Sequence, residues 1–261
     1  MAPLQMAHEA HAATVAEVKQ SLSDLGAEVT RIRRTRERFD ASEFDLVVTV
    51  GGDGTLLHAS HSVADTPVLA INSAPTTSVG FFCGARKGEV AEKLGAALKG
   101  RLKCASFTRM QVSLNGEVVS ARVLNDALFC HQSPAVTSRY IIEYGSVTEE
   151  HMSSGFWIGP AAGSTAAQRS AGGQVLPLSS RKLQFVVREP YNPHGEAYRL
   201  GHIIVKDGTS VRVRSRSRRM RIYVDGPHEM IRVDLGDIVD FTQSPEPLKL
   251  LGISVRRKWV E

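Results

Sequence analysis

The sequence has no long apolar run. Its most apolar stretches, such as Leu46-Val47-Val48 and Val68-Leu69-Ala70-Ile71, fall far short of the roughly 20 residues that a membrane helix needs. Near the start, Met1 leads to His8, Glu9 and His11 rather than to a basic cap and an apolar stretch, so no signal peptide and no membrane partner are expected. Cysteine is scarce: Cys83, Cys104 and Cys130 are odd in number, far apart and form no CxxC. That argues against a disulfide framework and a structural zinc site, and in favour of a reducing, cytoplasmic setting. The nine histidines show no metal-ligand spacing, and His58 and His61 read as a helix surface. Aromatic residues make up only 6%, which supplies few platforms for stacking nucleic-acid bases. Internal repeats and low-complexity linkers are also missing.

What is present is ordinary for a globular chain: 261 residues, 42% hydrophobic and 23% charged. That is room for one large domain or two modest ones. A net charge of +5 favours an anionic partner without naming it.

The first hundred residues alternate helix and strand signals. Val15, Val18, Leu22 and Leu25 recur at helical spacing, and Gly26 stands where a helix would stop. Val29 to Ile32 reads as a short strand, followed by a basic loop carrying Arg31, Arg33, Arg34, Arg36 and Arg38. Asp45 to Val50 reads as a strand buried on both faces. It ends in Gly51-Gly52-Asp53-Gly54-Thr55, after which a helix opens near Leu56. Pro67 to Ile71 is a second buried strand, and Val90, Leu94, Ala97 and Leu98 mark another helix. This alternation predicts a Rossmann-like parallel α/β lobe over residues 1–105. Such a lobe normally begins with a strand, and this one begins with a helix. Either the sheet lacks that strand or the native chain starts upstream of Met1.

Beyond Ser106 the texture becomes all-β. Met110 to Leu114, Asn115-Gly116 and Glu117 to Ser120 form a hairpin signal, because Asn-Gly accepts the positive φ angles of a tight turn. Short alternating segments follow at Tyr140–Tyr144, Phe156–Ile158, Phe185–Val187, His202–Val205 and Val211–Val224, with one helix starting near Ser164. They predict a β-sandwich lobe over residues 106–230. Arg212, Arg214, Arg216 and Arg218 alternate with Val and Ser, which would set them on one strand face. The run lacks an accompanying aromatic motif, so a solvated or oligomer-facing row is preferred and no nucleic-acid partner is expected.

The sharpest chemical feature is Gly51-Gly52-Asp53-Gly54-Thr55. Glycines after a buried strand let the backbone approach a phosphate, and an acid among them can act as a general base. The loop is neither a Walker A motif, which needs GxxxxGK, nor the dinucleotide fingerprint GxGxxG. It resembles the signature shared by NAD kinases, 6-phosphofructokinases and the diacylglycerol and sphingosine lipid kinases. Further blocks separate these families. Asn125-Asp126 is similar to an Asn-Glu pair that NAD kinases carry on a separate strand. Asn72-Ser73-Ala74-Pro75 through Gly80-Phe81, Gly163-Ser164-Thr165-Ala166 with Ser170-Ala171-Gly172-Gly173, and Tyr223-Val224-Asp225-Gly226 also match that family's order. Arg122 to Asp126 and Met152 to Gly155 are closest to its divergent, mitochondrial-type branch.

The resemblance implies a kinase that transfers the γ-phosphoryl group of ATP, held with Mg²⁺ or another divalent cation, to the 2′-hydroxyl of the adenosine ribose of NAD. Asp53 would be the general base, in the loop of Gly51, Gly52, Gly54 and Thr55. Leu57 would give the dinucleotide an apolar wall and Phe81 would flank its adenine. Asn125 and Asp126 would bind its polar groups, and Thr165, Ala166 and Ser170 would line the same pocket. Ser154 stands on the nicotinamide side, where many members carry Asp. Ala167 replaces a tyrosine, Asp126 a glutamate, and Gly159-Pro160-Ala161-Ala162 a Ser-Thr-Pro run, so altered substrate preference is expected. The metal would come with ATP and have no dedicated site. The family also implies a homodimer or homotetramer, and a C-terminal segment, 231–261, that returns to the first lobe. Two other readings stand beside this one: a lipid kinase and a non-catalytic NAD(P) sensor.

Overall fold

The computed structural model describes residues 2–32, 39–192, 195, 197–227 and 229–256. The chain forms two compact units, Met1–Phe107 with Leu248–Glu261, and Thr108–Pro247.

The first unit opens with helix α1 (Ala2–Asp24). Gly26 ends it with φ 69°, while the N–H groups of Gly26 and Ala27 donate to the carbonyls of Ser23 and Leu22 at 3.0 Å each, a Schellman cap. Strand β1 (Val47–Gly51), helix α2 (Asp53–Ser60), β2 (Val68–Asn72), the short β3 (Ala85–Arg86), α3 (Val90–Leu98) and β4 (Cys104–Phe107) follow. The second unit contributes β5 (Met110–Leu114), β6 (Glu117–Val123), β7 (Ala127–His131), β8 (Ser138–Tyr144), β9 (Val147–Ser153) and β10 (Phe156–Pro160). After a 3-10 turn (Ala161–Thr165) and the single-turn helix α4 (Ala167–Ser170) come β11 (Leu183–Val187) and β12 (His202–Val205). The unit closes with β13 (Val211–Ser215), β14 (Met220–Val224), β15 (Glu229–Val233) and β16 (Ile238–Gln243). Strand β17 (Leu248–Leu251) returns to the first unit.

In the first unit β1 and β2 are parallel, from Val47 beside Val68 to Gly51 beside Asn72. The other edge of β2 is shared. Leu250 of β17 pairs with Val68, and Ala85 and Arg86 of β3 pair with Ile71 and Asn72. Strand β17 then pairs antiparallel with β4, giving a largely parallel sheet with one antiparallel edge. Every residue of β2 is buried; Leu69 and Ile71 pack with Val90, Leu94, Val18 and Leu22.

The strand expected at Val29–Ile32 does not form. Val29 and Ile32 are 51% and 44% exposed, so a strand there would bury neither β-branched side chain. Most of the basic loop, residues 33–38, lies outside the described residues, and β1 ends the sheet order among the described strands. Strand β1 is fully buried only at Val47 and Thr49, on one face, while Val48 and Val50 on the other face are partly buried against the core that includes α1 and α3. His61 is buried rather than on a helix surface.

The second unit is two six-stranded antiparallel sheets, ordered β12-β11-β10-β7-β14-β15 and β6-β5-β16-β13-β8-β9. Asn115 and Gly116 take φ 51° and 89° in the β5–β6 turn. Phe156 is the hub of the core, with ring centroids 5.0 Å from Phe129, 4.5 Å from Phe185 and 5.8 Å from Phe241. The segment 211–224 is two strands, one in each sheet. β13 stops at Ser215, but the exposed alternation of Arg212 and Arg214 runs on to Arg216, which lies 3.9 Å from Glu150 of β9. Arg212 forks onto Asp240 at 2.8 and 3.3 Å. The C-terminal return begins at Leu248 and not at Ile231. Strands β15 and β16 bury Val233, Val239 and Phe241 in the sandwich, and that burial holds residues 229–243 in the second unit.

Candidate active site

The Gly-rich loop sits where a parallel strand gives way to a helix. β1 ends at Gly51, Gly52 caps α2, and Asp53 is the first helical residue, three positions before the expected start. Close packing explains two of the glycines. A Cβ at Gly51 would overlap the Thr55 side chain, and one at Gly52 would overlap the Ser78 hydroxyl. Gly54 faces open space, which leaves the first turn of α2 open to an anion favoured by the N-terminal end of the helix dipole.

Asp53 is not a loose surface acid. One carboxylate oxygen accepts the N–H of Phe81 at 2.9 Å and the other that of Phe82 at 2.8 Å. The segment that supplies these amides is itself tied down. Asn72 donates from its side-chain amide to the Ser78 carbonyl at 2.9 Å and accepts the Ala74 N–H at 3.2 Å. Gly80, at φ 60°, lies so close to the Asn72 side chain that a Cβ would be 2.9 Å from the Asn72 Cβ. Phe81 and Phe82 are buried at 5% and 4% exposure and meet edge to face at 5.0 Å. The Asn72-to-Phe81 block and the Gly-Gly-Asp-Gly block are therefore one hydrogen-bonded assembly. Leu57 lies half-buried on α2.

In the second unit Asn125 and Asp126 lie not in a strand but at the corner where the chain passes from β6 in one sheet to β7 in the other. The carboxylate of Asp225 accepts the N–H groups of Leu124, Asn125 and Asp126 at 2.9, 2.6 and 3.1 Å. The carbonyl of Asn125 accepts Nε2 of Gln168 at 3.2 Å, and a Cβ at Gly159 or Gly163 would overlap the same carbonyl. The second glycine-rich block, with Thr165 and Ala166 half-buried at the end of its 3-10 turn, is thus packed against the Asn125 corner. Ser170 is exposed at the end of α4. Ser154 is not brought to this corner. It precedes Phe156, at the opposite end of β10 from Gly159.

Electrostatics single out Asp126. Its carboxyl is pushed up to about 7, first by burial and then by the neighbouring Asp225 charge. Arg109, fully buried, is lowered to about 10 by burial and by Arg122, against the attraction of Glu246 and Asp225. The sequence reading missed Arg109, Gln168 and the role of Asp225. The one signal available was an Asp-Gly pair at a strand end, where Asp225 takes φ 48°.

Comparison with known proteins identifies the family. Residues 2–102 match the family model of the ATP-NAD kinase N-terminal domain. A probable NADH kinase of Oryza sativa subsp. japonica is 34% identical, over 92% of this chain and 81% of its own. The chain belongs to the NAD kinase family. An NADH kinase of Arabidopsis thaliana is 35% identical over 81% of this chain and 75% of its own. Family membership extends to the fold. An NAD kinase from Archaeoglobus fulgidus, solved in complex with ATP, superposes with a TM-score of 0.72 at 22% identity, covering 90% of this chain and 88% of that one. Yeast NADH kinase, solved with NADH, gives 0.69 at 20% identity over 80% of this chain and 63% of that one. The family assignment sets aside the lipid-kinase reading.

Among the described residues no group of three or more His, Cys, Asp or Glu side chains is placed to hold a metal, and no helix is long and apolar enough to cross a membrane.

Proposed function

We propose that this chain transfers the γ-phosphoryl group of ATP to the 2′-hydroxyl of the adenosine ribose of NAD or NADH, with Asp53 as the base. The observation that carries the reading is the fixed carboxylate of Asp53 at the first turn of α2, directly after the glycines that end β1. Each carboxylate oxygen has two acceptor positions, so one amide on each leaves capacity to accept a hydroxyl proton. The two amides also set the carboxylate's orientation before substrate arrives, which is what proton transfer in a phosphoryl-transfer step requires.

Gly52, Gly54 and Thr55 would present the first-turn N–H groups and a hydroxyl to phosphate oxygens, with Leu57 and Phe81 as apolar neighbours of the adenine. In the second unit Asn125 and Asp126 would take polar groups of the dinucleotide, with Thr165, Ala166 and Ser170 beside them. Ser154, at the far end of β10, would act apart from that group. A divalent cation such as Mg²⁺ fits this donor set as a companion of ATP. Magnesium asks for one or two carboxylates plus phosphate oxygens and water; when bound it would neutralise phosphate charge. The names of the relatives support NADH beside NAD as acceptor. Assembly as a homodimer or homotetramer and a reducing, cytoplasmic setting belong to the same proposal; Cys83, Cys104 and Cys130 are free thiols.

The test is direct. Purified protein is given ATP, Mg²⁺ and either NAD or NADH, and formation of the 2′-phosphorylated product is followed with an NADP-specific dehydrogenase. Steady product formation is expected. Nucleotide binding without product would convert the reading to a sensor.

A further inference from the structure

Asp225 is not among the residues assigned to substrate, yet its carboxylate accepts three backbone N–H groups. Asp225 directly follows β14 in the left-handed region, φ 48°, a conformation that aspartate tolerates better than most residues other than glycine. It reaches back about a hundred positions in the chain to collect three consecutive amides, those of Leu124, Asn125 and Asp126. Its own N–H returns a bond to the Asp126 carbonyl at 2.9 Å.

The corner is also fixed from the other side. Gln168, which donates to the Asn125 carbonyl, receives Nε2 of Gln184 at 3.1 Å, and both glutamines are fully buried. Gly159 and Gly163 close on the same carbonyl. The backbone of Asn125 is therefore held at both its N–H and its C=O. Its half-buried side chain, by contrast, makes no hydrogen bond to the protein among the described residues. An ionised acceptor bonded to several N–H groups is the strongest neutral-pH clamp that side chains offer a backbone, and its charge lies within the attraction of the buried Arg109.

We propose that Asp225 is a positioning residue for dinucleotide recognition: its carboxylate fixes the backbone of residues 124–126 so that the side chain of Asn125 points, before substrate binds, toward the dinucleotide. The proposal rests on the assignment of Asn125 to the dinucleotide above. It gives Asp225 no contact with substrate and no part in proton transfer.

The test is a double-mutant cycle of Asp225→Asn and Asn125→Ala, read as KM for NAD, KM for ATP and kcat in the full-length enzyme. Asp225→Asn removes the charge and keeps a single acceptor oxygen, so an NH2 group is set against at least one of the three N–H donors. It should raise KM for NAD by about tenfold or more, the size expected for lost charge-assisted hydrogen bonds, with KM for ATP changed by less than about twofold. In the Asn125→Ala background the same substitution should cost less than about threefold, because its effect passes through Asn125. A folded Asp225→Asn enzyme with unchanged KM for NAD, or fully multiplicative effects in the double variant, overturns the proposal. If Asn125→Ala leaves KM for NAD unchanged, the assignment of Asn125 fails and the proposal with it. If it raises KM and Asp225→Asn does not, only the positioning role fails. Should Asp225→Asn not fold, hydrogen exchange on the wild-type enzyme decides. Amides 124–126 must be strongly protected without NAD, and rapid exchange there overturns the proposal.

Discussion

Gly163 packs against the main chain of Asn125 so tightly that a Cβ would overlap the Asn125 carbonyl oxygen and stand 2.9 Å from its Cα. The neighbour is backbone, held in place by Gln168 and Asp225, so it has nowhere to move. Gly163→Ala should therefore destabilise the second unit by about 1–3 kcal/mol, typical of overpacking, and raise KM for NAD. Gly54 supplies the contrast. A Cβ there meets nothing within 4 Å, so Gly54→Ala should keep the melting temperature within a few degrees of wild type. A rise in KM for ATP in that stable variant is the expected mark of a phosphate-facing position.

Asp53→Asn tests the base and its anchorage together. Asparagine keeps one acceptor but sets an NH2 group against one of the N–H donors of Phe81 and Phe82. Turnover should fall by about 10²–10⁴, the usual worth of a positioned general base. Thermal unfolding should show a loss of about 1–3 kcal/mol from the unsatisfied pair. Full turnover in this variant would remove Asp53 as the base.

The pH dependence of stability should carry the mark of Asp126. Its folded-state value, about 7, lies above the ordinary 3.8, owing to burial first and to Asp225 second. Between those values the folded chain holds a proton that the unfolded chain has released. The contribution is therefore fully present at the acid end and is lost as pH rises toward and through 7. Asp126→Asn cannot ionise. Its melting temperature should fall less than that of wild type between about pH 5 and about pH 8; parallel curves would exclude the assignment.

Arg109 should matter for the stability of the second unit. It is fully buried, donates Nε–H to the Glu246 carbonyl at 2.6 Å and lies 4.0 Å from the Glu246 carboxylate, which Arg122 also meets at 2.6 Å. Arg109→Met removes its charge from half-buried Asp225 and Glu246, the latter still paired with Arg122. A loss of about 1–3 kcal/mol is expected, from the hydrogen bond to the Glu246 carbonyl and the lost packing, with the screened Glu246 carboxylate adding little, and is measured as a lower urea midpoint. Arg212→Ala, whose partner Asp240 is near the surface, should cost no more than about 1 kcal/mol.

The sequence by itself determined the local elements and the order of the chemistry. Helical spacing ending at Gly26, the Asn115-Gly116 turn and the buried run 68–71 follow from side-chain period and backbone preference, which act over a few residues. The Gly-Gly-Asp-Gly block and the Asn125-Asp126 pair were legible for the same reason: each is a short motif. Val29–Ile32 misled because β-branched residues form a strand only where a sheet receives them, and here they stay exposed. The return over 231–261 that the resemblance implies starts later, at Leu248, because Val233, Val239 and Phe241 are buried in the sandwich, and which core covers a strand is a matter of packing rather than of motif. Only the tertiary structure decided that the amides of Phe81 and Phe82 hold Asp53, and that Asp225 gathers the amides of residues 124–126. Those bonds join positions 28 to 101 residues apart. Over such separations only the packed fold brings a carboxylate and an amide within hydrogen-bonding distance.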